Sequence, residues 1–106
     1  MTDDVLARLA AAISARRAES PEKSYTRQLL DAGPAACAKK LGEEAVEAVI
    51  AGVSQDDEAL RAEAADLVYH LLVLLEARGI AFSEVLAVLE KRAGVSGLAE
   101  KAARLR

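Results

Sequence analysis

The stretch KKLGEEAVEAVIAGVSQDDEALRAEAAD, residues 39–66, decides the fold of this chain because it carries two acidic pairs on two segments of helical pattern. The pairs are Glu44 with Glu47 and Glu63 with Asp66, each spaced i, i+3. Residues three apart are neighbours on a helix surface, with Cβ atoms about 5–6 Å apart. Each pair therefore points two carboxylates the same way, and two such helices packed together would bring four carboxylates to one place.

The side chains around these acids are mostly apolar. The first helix carries its polar residues on one stripe and valines on the far side, and that stripe consists of Lys40, Glu43, Glu44 and Glu47. The second helix is apolar nearly all round over residues 64–75, and its polar exceptions are Asp66, His70 and the hydroxyl of Tyr69. A helix that is apolar all round is usually buried. We therefore expect the carboxylates to lose part of their contact with water.

The local charge balance favours a metal ion at the acidic pairs. Two carboxylates about 5 Å apart repel each other by roughly 3 kcal/mol at an effective dielectric constant of about 20. Lys39 and Lys40 are the only basic residues near the first pair, and they cannot neutralise four acids. A hard divalent cation with oxygen ligands, Mg²⁺ or Mn²⁺, fits this deficit. The alternative is that the acids line solvated helix faces, as most Asp and Glu residues do.

Composition indicates a small α-helical domain. The chain has 106 residues, enough for one core, and we assign residues 1–106 to a single domain. Hydrophobic residues make up 53% of the chain and aromatic residues 3%, while β-branched runs with period-two alternation are absent. This pattern predicts an all-α fold. The net charge of −3 argues against a nucleic-acid partner.

Cysteine usage and hydropathy predict a cytoplasmic protein without a membrane partner. One cysteine cannot form an internal disulfide, which favours a reducing compartment. The longest apolar run, residues 67–75, is too short to span a bilayer. No signal-peptide pattern is visible at the start of the sequence.

The helical pattern predicts four long helices and two short ones, which we expect to pack as a bundle of four to five helices. Long helices are predicted over residues 3–17, 35–51, 56–78 and 83–92, with short ones from Ser24 or Thr26 to residue 30 and over residues 98–106. Pro34 suits the start of the helix over 35–51, and Gly52 is predicted to end that helix as its C-terminal cap.

The two acidic helices are expected to form an antiparallel hairpin. The predicted connection between them is about three to five residues, and short loops between helices make antiparallel neighbours. Both acidic pairs lie about eight to ten residues from the turn, counted along the helix on each side. The hairpin therefore brings Glu44 and Glu47 toward Glu63 and Asp66.

These motifs resemble those of the phosphoribosyl-ATP pyrophosphohydrolase family, which belongs to the all-α nucleoside triphosphate pyrophosphohydrolases of the MazG type. The signature of that superfamily is E-x-x-E, a spacer, then E-x-x-D. The resemblance covers nearly the whole chain, and the matching residues are Ser24-Tyr25-Thr26, KLGEEAVE at 40–47, EAADLVYH at 63–70 and the closing Ser96-Gly97, Glu100-Lys101 and Arg104.

The resemblance implies hydrolysis of phosphoribosyl-ATP to phosphoribosyl-AMP and pyrophosphate, the second step of histidine biosynthesis. It implies that Glu44, Glu47, Glu63 and Asp66 bind Mg²⁺ and form the catalytic centre. Among them we expect Glu44 to orient or deprotonate the attacking water. Ligand and base roles in a shared cluster are coupled, so this assignment is not fixed by spacing.

Candidate substrate-binding residues flank the acids, and each has a structural alternative. They are Ser24, Tyr25, Thr26, Lys40 and Lys101. Lys40 either contacts a phosphate or forms a salt bridge with a neighbouring glutamate. Tyr25 either stacks on a base or packs as a loop anchor. Lys101, with Ser96 and Arg104, either holds a phosphate or ribose or belongs to a basic tail.

His70, one turn after Asp66, is either a hydrogen-bonded core residue or a group that orients a carboxylate. Cys37 is expected to pack as a small buried residue.

Two other functions are consistent with the sequence. One is a house-cleaning hydrolase of noncanonical nucleoside triphosphates, which would share the four acids. The other is a helical dimerisation module without catalysis. A homodimer is expected in any case, because the leucine-rich faces of the helices over 56–78 and 83–92 exceed what a monomer of this size covers.

Overall fold

The computed structural model describes residues 4–93 together with Lys101 and Arg104. Its α-helices are α1 (Val5–Ala15), α2 (Tyr25–Ala32), α3 (Pro34–Ser54), α4 (Asp57–Ala77) and α5 (Phe82–Arg92), and a 3₁₀ turn, Arg16–Ala18, follows α1. No strand occurs among these residues. The predicted all-α class is therefore confirmed.

The helix starts follow from local capping. The carboxylate of Asp4 accepts hydrogen bonds from the N–H groups of Leu6 and Ala7, which places the start of α1 after Asp4. Pro34 occupies the first turn of α3, as predicted, where its missing N–H costs no helical hydrogen bond. Asp56 caps α4 by accepting from the Ala59 N–H at 2.9 Å.

The prediction that Gly52 ends the first acidic helix is wrong. α3 continues to Ser54, and Gly52 does not have the positive φ that a left-handed cap requires, which Gly33 and Gly79 do have. The last turn is closed by the Ser54 hydroxyl, which donates to the Ile50 carbonyl at 2.8 Å. Only Gln55 and Asp56 remain between α3 and α4, so the connection is shorter than the three to five residues expected.

α3 and α4 form the most extensive helix pair, and α1 and α2 pack against this hairpin. The buried core lies where these four helices meet and consists of Ile13, Leu30, Cys37, Leu72 and Val73. α5 has no fully buried residue, although Phe82 at its start packs against the core. The hairpin is therefore the frame on which the other elements assemble.

Part of the apolar surface remains uncovered in the single chain. The most exposed part is a face of α3, called here the α3 apolar face, made of Val46, Val49, Ile50 and Val53. Leu60 of α4 and Leu86, Val88 and Leu89 of α5 are also exposed. The sequence placed the uncovered apolar surface on the α4 and α5 leucines, but the leucines of α4 over residues 67–75 are buried or half-buried.

Among the described helices none is both long enough and apolar enough to cross a membrane. The predicted turn at Val95-Ser96-Gly97 and most of the predicted helix over 98–106 fall outside the described residues; Lys101 and Arg104 are helical.

Candidate functional site

The acidic residues of the hairpin converge as its geometry predicts. One carboxylate oxygen from each of Glu44, Glu63 and Asp66 can be chosen so that all three lie within 4.8 Å of one another. Glu44 is eleven residues before Gln55 and Asp66 is ten after Asp56, so the two lie level across the hairpin. We call these three residues the acidic cluster.

Glu47, the fourth predicted ligand, is not part of this close group. Its side chain is exposed, on the half of the hairpin nearer the turn. Its negative charge nevertheless acts on the pKa of Glu63. The structure therefore leaves Glu47 beside the cluster, and its role as a ligand stays a prediction.

The expected loss of water is uneven across the four acids. Glu44 and Glu63 are half-buried, while Glu47 and Asp66 are exposed. Partial burial raises the pKa of the Glu63 carboxyl, and the nearby charges of Asp66, Glu47 and Glu44 raise it further. The ionised form of the Glu63 carboxyl is therefore disfavoured unless a cation binds nearby.

Few cations of the chain itself balance this charge. Lys40 Nζ lies 3.7 Å from Glu44 Oε1 and 3.6 Å from Glu43 Oε1. Within residues 4–93, no lysine or arginine forms an ion pair with Glu47, Glu63 or Asp66. Clustered carboxylate oxygens with too little positive charge suit a hard divalent cation, so the residues present fit Mg²⁺ or Mn²⁺.

His70 faces the cluster from a buried position on α4. Its Nε2 lies 4.0 Å from Glu44 Oε1, which is longer than a hydrogen bond. Burial lowers the pKa of its imidazole, the charge of Lys40 lowers it further, and the charges of Glu44 and Asp66 oppose this shift. Because the net pKa is below its ordinary value of 6.5, the ring is uncharged at neutral pH. His70 is therefore buried beside a carboxylate, and its role in orienting that carboxylate stays a prediction.

The hydroxyl groups at the start of α2 contact the protein itself. Ser24 is buried, and its Oγ accepts a hydrogen bond from the Arg27 N–H at 3.0 Å as the N-cap of α2. Thr26 is also buried, and its Oγ1 shares a hydrogen bond with the Tyr69 hydroxyl. Substrate contacts by Ser24 and Thr26 remain predictions, made in addition to these structural roles.

Tyr25 and Lys40 are the predicted substrate-binding residues that lie open beside the cluster. Tyr25 is 51% exposed, and its ring stands edge to face with His70 at a centroid distance of 6.3 Å. The charge interaction with Tyr25 is the largest cause that raises the pKa of the Lys40 ammonium, and partial loss of water opposes it. The charges of Glu43 and Glu44 raise this pKa further. Lys40 therefore keeps its positive charge next to the cluster.

The C-terminal candidates have no ion pair with the acidic cluster among the described residues. Lys101 is helical and exposed. Ser96 lies outside the residues that the structure describes. A phosphate or ribose contact by either residue, or by Arg104, stays a prediction.

Sequence reasoning missed the residues that hold the α2 segment in place. Arg27 Nη1 donates to the carbonyls of Arg17 at 3.0 Å and Glu19 at 2.6 Å, and its Nε pairs with Asp31 at 2.8 Å. The Gln28 side chain donates to the Pro21 carbonyl at 2.7 Å. The Arg27–Asp31 pair has the i, i+4 spacing of a helical ion pair and could have been found from the sequence. No spacing rule predicts the hydrogen bonds from Arg27 and Gln28 to backbone carbonyls earlier in the chain.

Comparison with known proteins identifies relatives over nearly the whole chain. The profile of the phosphoribosyl-ATP pyrophosphohydrolase family matches residues 6–93. A phosphoribosyl-ATP pyrophosphatase from Dinoroseobacter shibae is 57% identical over 100 residues, covering 94% of this chain and 98% of that protein. Proteins of the same name from Nitrobacter winogradskyi and Methylobacterium radiotolerans are 59% and 57% identical, over 92% and 98% of this chain and 84% and 97% of their own lengths.

Proposed function

This chain belongs to the phosphoribosyl-ATP pyrophosphohydrolase family, and we propose that it hydrolyses phosphoribosyl-ATP to phosphoribosyl-AMP and pyrophosphate in histidine biosynthesis. The observation that carries this proposal is the convergence of Glu44, Glu63 and Asp66 on one face of the α3–α4 hairpin. The exposed Tyr25 and the charged Lys40 beside that face suit a substrate with a base and several phosphates.

The acidic cluster, together with Glu47, is the proposed binding site for Mg²⁺, with Mn²⁺ as a substitute. Carboxylate oxygens are the ligands that both ions prefer. A bound divalent cation would neutralise charge on the triphosphate and lower the pKa of a coordinated water. The raised pKa of Glu63 supports a cation here, because cation binding removes the repulsion among these carboxylates.

We assign Glu44 the task of orienting or deprotonating the attacking water. It is the cluster member that both Lys40, at 3.7 Å, and His70, at 4.0 Å, approach. These neighbours limit the orientations of its carboxylate. Attack then breaks the bond between the α and β phosphates and releases pyrophosphate.

Substrate binding is assigned to the residues that surround the cluster. The Lys40 ammonium is suited to a phosphate oxygen, and the open Tyr25 ring is suited to stacking on a base. Ser24, Thr26 and Lys101 are proposed to contribute at the edge of the site, Ser24 and Thr26 also by holding the start of α2.

A homodimer and a cytoplasmic location complete the proposal. The α3 apolar face supports a dimer, because its four residues are between 41% and 81% exposed in the single chain. The histidine pathway and the reduced, buried thiol of Cys37 support the cytoplasm.

The direct test is pyrophosphate release from phosphoribosyl-ATP, with and without Mg²⁺, beside a panel of ordinary nucleoside triphosphates. We expect release that requires the metal and is confined to phosphoribosyl-ATP. Release from the general panel would instead indicate a house-cleaning hydrolase with the same acidic site. If folded protein releases no pyrophosphate from any substrate with Mg²⁺ present, the non-catalytic dimerisation module would be favoured.

The variant Glu44→Gln tests the site itself. We expect turnover to fall by at least about a hundredfold, because the substitution removes one ligand charge and the group that handles the water. Glu43→Gln is the matched control, since Glu43 precedes Glu44 on α3, pairs with the same lysine and lies outside the close group. Wild-type turnover in Glu44→Gln, or an equal loss in both variants, would show that the site is misplaced.

A further inference from the structure

A continuous set of contacts links α2, α4 and α3 through a residue that the proposed mechanism does not use. Thr26 of α2 bonds to the hydroxyl of Tyr69 on α4. The Tyr69 ring lies edge to face with the next residue, His70, with centroids 4.8 Å apart and an interplanar angle of 81°. His70 in turn places Nε2 4.0 Å from Glu44 Oε1 on α3.

We propose that Tyr69 is a positioning residue: with its hydroxyl held by Thr26, its ring holds the imidazole of His70 so that Nε2 faces the carboxylate of Glu44. The inference rests on the proposed function, because Glu44 is a metal ligand and water-handling group there. Thr26 acts in this scheme through Tyr69.

The need for such a contact follows from the freedom of a histidine ring. Rotation of an imidazole about χ2 is broad, so burial alone does not select which ring atom faces Glu44. Two rings standing roughly perpendicular to it, Tyr69 at 4.8 Å and Tyr25 at 6.3 Å, restrict that rotation. Nε2 lies 4.0 Å from Glu44 Oε1, too far for a hydrogen bond, so the ring limits the positions open to this carboxylate by packing beside it.

Tyr69 can restrict the imidazole of His70 only if the position of its own ring is fixed. Its hydroxyl partner is the β-branched Thr26, whose χ1 is restricted in a helix. Thr26 is 8% exposed and His70 6% exposed, so water cannot easily replace either contact. The first turn of α2 therefore determines the orientation of a side chain next to the cluster, although it belongs to neither acidic helix.

The test uses substitutions that remove one hydroxyl at a time. Tyr69→Phe keeps the ring and deletes its hydroxyl, and Thr26→Val keeps the shape of Thr26 and deletes the partner. Thr26→Ser keeps the hydroxyl and is the conservative rescue. Ile13→Val is the control for lost packing, because Ile13 is buried on α1 and takes no part in these contacts.

The first measurement is proton NMR of the metal-free protein. The chain has one histidine and two tyrosines, so the aromatic signals of His70 are assigned without ambiguity. We expect Tyr69→Phe and Thr26→Val to shift and broaden the His70 ring signals and to weaken their Overhauser contacts with the Tyr25 ring. Thr26→Ser and Ile13→Val should leave both unchanged.

The second measurement is Mn²⁺ affinity, determined by electron paramagnetic resonance. Steady-state kinetics are measured on the same variants. Loss of a partner that hydrogen-bonds a ligand weakens metal binding about 10- to 100-fold. His70 stays in place in Tyr69→Phe and Thr26→Val and lies 4.0 Å from Glu44, so we expect a smaller loss, of about three- to tenfold. In Tyr69→Phe the value of kcat should fall with Mn²⁺ affinity while KM changes by less than about twofold, since this variant leaves every proposed substrate-binding residue in place.

Unchanged His70 signals in both hydroxyl deletions, or an equal loss of Mn²⁺ affinity in Ile13→Val, would overturn the positioning role. Failure of the proposed function has a different signature: the wild-type protein would bind no Mn²⁺ or release no pyrophosphate. In that case the NMR comparison still decides whether Tyr69 holds His70.

Discussion

Replacing Val49 with serine is expected to weaken a homodimer strongly while leaving the fold of the single chain intact. Val49 belongs to the α3 apolar face and is 64% exposed. Its neighbours on that face are also apolar, and Glu44, the α3 member of the acidic cluster, lies close to Glu63 and Asp66 of α4. A second copy that covers this face would therefore bury Val49 without obstructing the acidic cluster.

The size of the effect follows from the exposed fraction. Full burial of a valine or isoleucine side chain is worth about 1.5–3 kcal/mol, so burying the exposed part of Val49 is worth about 1–2 kcal/mol. A two-fold dimer makes this contact twice, which gives about 2–4 kcal/mol per dimer. Serine keeps part of the buried area, so we take the lower value, which corresponds to about a 30-fold higher dissociation constant.

Sedimentation equilibrium over a dilution series measures this constant. Val88→Ser is the matched control, because Val88 is 48% exposed on α5, away from the α3 apolar face. Only Val49→Ser should shift the dissociation to higher protein concentration. A wild-type chain that stays monomeric at every concentration, or an equal shift in both variants, would refute the assignment of this face to a dimer.

Three further outcomes are expected. Partial burial raises the pKa of Glu63 above its ordinary 4.5, and the neighbouring carboxylates raise it further. Without metal, the thermal midpoint of unfolding should therefore fall as the pH rises through that raised pKa. The variant Glu63→Gln should show a weaker dependence of the midpoint on pH. Cys37 is 1% exposed and burial raises its pKa, so labelling by a thiol reagent should be at least about a hundredfold slower than in the urea-unfolded chain. Arg27→Ala removes two hydrogen bonds to loop carbonyls and should lower the free energy of unfolding by about 2 kcal/mol in urea titrations; wild-type stability would contradict this role.

The acidic hairpin could be predicted from sequence because its signals are local. The i, i+3 spacing of the acids, the apolar segment over 64–75 and the short polar connection each depend on residues close together in the chain. Equal distances from the turn then bring Glu44 level with Asp66 by simple helix geometry. These rules need no knowledge of the rest of the fold, and the convergence of the cluster agrees with them.

The exact end of α3 and the burial of its faces could not be predicted in the same way. Glycine is common just after a helix, but Gly52 stays helical, and the last turn of α3 is closed further along by the Ser54 hydroxyl, which donates to the Ile50 carbonyl, and by the Gln55 N–H, which donates to the Ala51 carbonyl. Periodicity identifies an apolar face without naming what covers it. Val49 and Val53 show this, because the sequence pattern places them on the far side of the helix from the acids and the structure leaves them exposed in the single chain.

The contacts of α2 explain why rules based on residue spacing could not predict part of the site. A helix of eight residues is marginal by itself, so α2 depends on its cap and on contacts with distant residues. Ser24 caps it, and Thr26 joins it to Tyr69, 43 residues further along the chain. The same first turn carries Tyr25, whose ring stands against His70. The interactions that keep α2 folded are therefore also those that place an aromatic ring beside the acidic cluster, and a long-range pair of this kind has no periodic signature in the sequence.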